Sequence, residues 1–131
     1  MARRIRLDQI GDYAEDKLNQ LMRVVVLETD AKLKARSPVD TGRFRASWAI
    51  GENQTGNYDA GPSTSTAPVA LNYTLGNEKI RNVYNVHNSL PYAEPLANGS
   101  SKQANAGWVD LVAKQMTKRA RQLANSIGRQ D

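Results

Sequence analysis

The chain has 131 residues, 40% of them apolar and 24% charged, a size and balance that set one folded unit with a single modest core as the expectation. No apolar run approaches the roughly 20 residues that span a bilayer, and the absence of cysteine removes disulfides and thiolate metal cages. The net charge of +5 belongs to the ends: residues 37–107 carry five basic and five acidic side chains, and the excess comes from Arg3, Arg4 and Arg6 and from Lys114, Lys118, Arg119, Arg121 and Arg129.

The opening "MARRIRLDQIG" is basic but lacks the apolar stretch and small-residue cleavage site of a secretory signal, so the chain is expected to work where it is made. Leu7, Ile10, Ala14, Leu18, Leu21 and Val25 then recur at spacings of three and four, continued by Ala31 and Ala35. This predicts one long amphipathic helix over 8–36, ended by Pro38. Such a rod is over 40 Å long at about 1.5 Å per residue, as long as a domain of this size is wide, and part of it is expected to pack on another subunit. The run Val24 to Leu27 widens its apolar stripe, which suits either contact on two sides or a deeply buried helix centre.

The corner that follows, "SPVDTGRFRASW", contains the Asp-Thr-Gly tripeptide of aspartic proteases. Those enzymes need the aspartate on a tight loop between buried strands, with two carboxylates sharing one proton. Here the residues before Asp40 are "KARSPV", a helix exit, Arg43 and Phe44 follow the glycine, and a single copy of the motif could form a dyad only in a homodimer. A structural reading uses the same letters: Pro38 stops the helix, Asp40 or Thr41 caps a short turn over 41–46, and Gly42 takes a backbone angle other residues resist. Arg43 and Arg45 are placed either in solvent or against acidic groups on a neighbour.

"SWAIGENQ" is predicted to be a strand, "TGNYDAGPSTSTAP" a flexible loop at about 55–68, and 69–80 a short helix. "NVYNVHNS" alternates, with Val83, Asn85 and His87 on one face, and reads as a second strand. A helical turn is expected over 91–98, closed by Gly99, with "SSKQANAG" leading into a last helix whose stripe is Val109, Val112, Ala113, Met116, Ala120, Leu123 and Ile127 and whose stop is Gly128. Two long helices framing a few short strands predict an α+β domain with the helices packed on a small, mainly antiparallel sheet. His87 is the only histidine, acidic residues do not cluster at ligand spacing, and nucleophile-elbow, dinucleotide and P-loop motifs are missing, so neither catalysis, a metal nor a cofactor is expected. Trp48 and Trp108 suit either interface anchors or core packing.

The ordered set Pro38, Val39, Asp40, Thr41, Gly42, Arg45, Ser47 and Trp48, then Asn88, Pro91, Tyr92 and Ala93, then Gly99, Ser101, Gln103, Ala104, Gly107 and Val109 resembles the tail-completion or neck (head–tail joining) protein family of tailed bacteriophages. Pro95 to Asn98 departs from the acidic or aromatic run expected there. The resemblance implies a non-enzymatic virion protein at the head–tail junction, made in the host cytoplasm and working without a membrane. It further implies a homo-oligomeric ring, six-fold, around the channel through which genomic DNA passes without sequence-specific binding, and contacts with other neck, connector and tail proteins. On this reading Arg43, Phe44, Arg45, Trp48, Tyr92 and Trp108 are packing or interface residues. Arg3, Arg4, Arg6, Lys118, Arg119 and Arg121 would meet DNA or an acidic partner. The alternative reading is a small basic DNA-binding protein, for which a compact dimer and steeply salt-dependent duplex binding are the marks.

Overall fold

The computed structural model describes residues 10–38, 42–91, 93 and 107–128. The elements run α1 (Ile10–Arg36), α2 (Arg43–Ala46), β1 (Trp48–Glu52), β2 (Tyr84–Asn88) and α3 (Trp108–Gly128). This is the α+β arrangement anticipated: two long helices and a small antiparallel sheet. Tyr92, Asp40, Thr41, Arg3, Arg4 and Arg6 lie outside the described residues, as do most of the turn expected over 91–98 and its lead-in to the last helix.

Helix α1 buries Val26, Asp30, Leu33 and Lys34, one stripe at helical spacing. The expected continuation through Ala31 and Ala35 is wrong, since both are exposed. The stripe instead accepts a charged pair, because Lys34 Nζ lies 2.8 Å from Asp30 Oδ2 one turn away. Helices α1 and α3 pack on each other. They run antiparallel: Leu33 shares a core cluster with Trp108 and Val112 near the start of α3, while Glu28, earlier in α1, meets Arg119 farther along α3.

The cluster of Leu33, Phe44, Trp48, Leu90, Trp108, Val112 and Met116 forms the core at one end of these rods. The opposite halves are only partly covered. No side chain from 15 to 25 in α1, or from 117 to 126 in α3, is fully buried.

Strand β1 is the interior strand, buried from Trp48 through Gly51. It pairs antiparallel with β2 in the register Trp48↔Asn88, Ile50↔Val86 and Glu52↔Tyr84. Its other edge is satisfied by the chain at 69–72: Ile50 N donates to Val69 O at 2.8 Å and Leu71 N to Ile50 O at 2.9 Å. The Asn72 side chain continues this edge, accepting from Glu52 N at 2.7 Å and donating to Glu52 O at 2.8 Å. The short helix expected over 69–80 is therefore absent. Asn72 spends its amide on the strand, and Gly76 adopts φ 97, which together draw the chain into bends. These bends lie along the first half of α1, held by Ile80 N to Asn19 Oδ1 at 2.8 Å and by Arg23, which bonds Gly76 O and Glu78.

Candidate assembly interface

The corner between α1 and β1 is built from small hydroxyls that each serve twice. Ser37 Oγ donates to Leu33 O at 2.5 Å, closing the end of α1, and accepts from Trp48 Nε1 at 2.8 Å. Ser47 Oγ donates to Arg43 O at 2.6 Å and accepts from Ala60 N at 3.0 Å. Gly42 occupies the N-cap position of α2 with φ 81, without a side-chain cap. A Cβ there would also crowd Thr64 Cγ2 at 3.1 Å, so the glycine expectation holds at this position.

These contacts seat Phe44 and Trp48 beside Trp108, with ring centroids 5.9, 6.2 and 6.4 Å apart and steep interplanar angles. All three rings are buried, so within the protomer they are packing residues. Arg43 holds Asp59 in a two-pronged pair, Nε to Oδ1 at 2.8 Å and Nη2 to Oδ2. Those bonds, with Gly61 N–H as a second donor, pull the Asp59 carboxyl down to about 2. Arg45 is half-buried and its Nε has no hydrogen-bond partner.

Residues 53–68 contain neither helix nor strand, as expected of a loop, but they are fastened at several points. Gly56 N meets His87 Nε2 at 3.1 Å, Tyr58 N meets Ser89 Oγ at 3.0 Å, and Ala60 N is held by Ser47. Farther along, buried Lys34 Nζ donates to Thr66 O at 3.2 Å and Ala67 O at 2.9 Å. The tip at 62–68, which includes the two residues whose carbonyls Lys34 holds, is exposed throughout. The segment is a strap whose backbone is gripped from below. Lys34 was invisible as an anchor because a lysine in a helix reads as solvated; the available signal was its place, with Asp30, on the line of Val26 and Leu33.

His87 meets backbone at both ring nitrogens: Nδ1 lies 2.9 Å from Asn85 O, and Nε2 faces the Gly56 peptide group, with Gly56 N at 3.1 Å. Among the described residues no group of three or more His, Asp or Glu side chains could hold a metal ion, and no helix is long and apolar enough to cross a membrane.

Among the described residues, strand β2 has one open edge. Because Ile50 and Glu52 turn their backbone groups toward 69–72, it is Ala49 and Gly51 that exchange bonds with His87 and Asn85, and Asn53 N continues the series to Val83 O at 2.6 Å. The backbone N–H and C=O groups of Tyr84, Val86 and Asn88 consequently point away from β1. They have no hydrogen-bond partner among the described residues. "YNVHN" contains no proline, lysine or bulge, the devices that usually blunt such an edge. Val83, at its start, is 64% exposed.

On α3 the expected basic residues divide. Arg119 is committed to Glu28, with Nε and Nη2 at 3.0 and 3.2 Å from the two carboxylate oxygens, whereas Lys118 and Arg121 are exposed.

Residues 4–99 match the family model HK97-gp10_like, described as "Bacteriophage HK97-gp10, putative tail-component". No curated protein and no solved structure matches the chain. The matched span holds α1, the Ser37–Trp48 corner, the strap and both strands, well over half of the chain, which makes it a structural phage component associated with the virion: the chain belongs to the HK97-gp10-like family of bacteriophage tail components.

Proposed function

We propose that the chain is a non-enzymatic neck or tail-completion protein, assembling as a cyclic homo-oligomer at the head–tail junction around the channel for genomic DNA. The observation that carries this reading is the edge of β2, where the outward N–H and C=O groups of Tyr84, Val86 and Asn88 have no partner among the described residues and offer a pairing edge to an extended segment from a neighbouring subunit. The half-covered rods agree with it, since the first half of α1 and the second half of α3 keep apolar area at the surface that sister copies can cover. In a cyclic assembly such contacts are heterologous: one patch of each subunit meets a different patch of the next. The exposed tip of the strap at 62–68 then serves as the axial contact to an adjoining neck or tail ring. Arg43 and the aromatic trio act from beneath, holding the corner on which that strap rests.

Val86→Pro tests the proposal. Residue 86 turns its N–H away from β1, so proline leaves the β1–β2 ladder intact while removing an outward donor and crowding any incoming strand. The expected result by light scattering is a folded protomer where the natural chain forms a ring. A ring of unchanged mass in the variant refutes the edge as the joint. Particles grown without the protein are expected to accumulate unjoined heads and tails.

A further inference from the structure

The strap is tied firmly at both ends and by a single side chain between them. On the near side Gly56, Tyr58 and Ala60 are held by His87, Ser89 and Ser47, and on the far side Val69 and Leu71 are bonded to Ile50. Inside 61–68 the bonds are local: Gly61 N to Asp59 Oδ1, Ser63 N to Ala60 O, Ser65 N to Ser63 Oγ and Ala67 N to Ser65 Oγ. Among the described residues, the hydrogen bonds that join 61–68 to another element come from Lys34 Nζ alone, to Thr66 O and Ala67 O. The Thr64 methyl lies near Gly42, a small apolar contact. Gly61, at the near end, has φ 59 and no atom close enough to confine it, so the chain can swivel there.

This segment covers a charge pair. Lys34 and Asp30 are almost fully buried, yet the residues that bond the ammonium, Thr66 and Ala67, are themselves exposed, so 61–68 is the layer between the pair and solvent. Beneath it the pair is incompletely satisfied, because Asp30 Oδ1 has no hydrogen-bond partner. Residues 62–68 are Pro, Ser, Thr and Ala, which bring no large apolar side chain to the core. Lifting them breaks two bonds and forfeits little apolar burial, while water reaching both charges offsets the loss.

We infer that residues 61–68 are a flap latched by Lys34, which opens on its own while the core stays folded and so frees the tip to reshape on a docking surface. The use of the flap rests on the axial-contact reading above; its motion does not. A partner that needs the open form binds in proportion to the population of that form, so the latch sets how readily the tip docks. This gives the buried Asp30–Lys34 pair a role that two well-packed apolar residues would not fill.

The test is acetylation of the Lys34 amine in the full chain by an N-hydroxysuccinimide ester, read by peptide mass spectrometry from zero to about 1 M urea. Exposed Lys114 and Lys118 give the unhindered rate in the same digest. Lys34 is expected to label more slowly than these, with a rate that rises less than about 3-fold over the urea range, because local opening exposes little surface. A group uncovered only by global unfolding gains roughly 30-fold. Ser63→Ala/Ser65→Ala, at two exposed positions, removes the turn bonds that aim the carbonyls at Lys34, and is expected to label Lys34 about 10-fold faster at an unchanged urea midpoint. A 30-fold urea gain at Lys34, labelling as fast as Lys114, or an unchanged rate in the double variant overturns the inference. Mass spectrometry of purified particles separates this from the docking reading: a chain that labels as expected but is absent from particles refutes the axial contact and leaves the flap standing.

Discussion

The Lys34→Met substitution probes how the fold holds its strap. Lys34 is 2% exposed, and its ammonium satisfies Asp30 at 2.8 Å and the carbonyls of Thr66 and Ala67 at 3.2 and 2.9 Å. Methionine fills the same stem volume but strands a buried carboxylate whose Oδ1 already has no partner, together with two carbonyls 32 and 33 residues away. Breaking a buried pair from one side costs about 3–5 kcal/mol. In urea that moves the midpoint down by about 2 M for a slope of about 2 kcal/mol/M.

The effect carries a pH signature. Burial raises the Asp30 carboxyl above 3.8 despite the hydrogen bond and charge of Lys34, which lower it. A raised folded value means that this carboxyl supports the fold in acid and works against it as pH rises through that value. Without Lys34 the value climbs further, so the deficit of Lys34→Met is expected to be largest at neutral pH and to shrink in acid. Asp30→Leu/Lys34→Met should recover the part due to the stranded charge and leave the part due to the two strap carbonyls, which hydrogen exchange at 60–67 reports directly. A deficit under about 1 kcal/mol, or one that grows in acid, refutes the reasoning.

Gly51→Ala is expected to cost about 1–3 kcal/mol in denaturant melts, because a Cβ would fall 2.0 Å from Gln54 O where the chain folds back into the strap; an unperturbed melt would show that turn to be free to move. Trp108→Ala removes one ring of the aromatic trio and should cost about 3–5 kcal/mol, with Trp48 fluorescence reporting the opened core. Asp59 should titrate at about 2 by carboxyl NMR and move upward in Arg43→Gln; its clamp on the strap is complete above 3.8 and lost as pH falls through about 2, and an Asp59 titrating at 3.8 in the natural chain contradicts the pair.

The parts legible in the sequence were those governed by periodicity and punctuation. The spacing of Leu18, Leu21 and Val25, and of Val112 and Met116, located both rods, and Pro38 with Gly42 located the corner. The alternation around Val86 located β2. What escaped was governed by polar side chains that leave their own element. Asn72 and Gly76 do not merely weaken a helix over 69–80; Asn72 replaces a strand for Glu52, a role no local pattern announces. Asp30 and Lys34 displaced Ala31 and Ala35 from the buried stripe because two opposite charges one turn apart, with carbonyls to complete them, can be buried together. For the candidate interface, Phe44, Trp48 and Trp108 were identified by type, but only their mutual contacts place them under the surface. Which backbone groups of β2 remain open depended on where Ile50 sends its hydrogen bonds, 19 to 21 residues away.

Mass in solution as a function of concentration is the most direct test of assembly through β2 and the two rods. The account predicts a closed ring of one defined mass that persists in high salt, since apolar faces and a strand edge join it. A well-folded chain that remains a single copy at every concentration would contradict it.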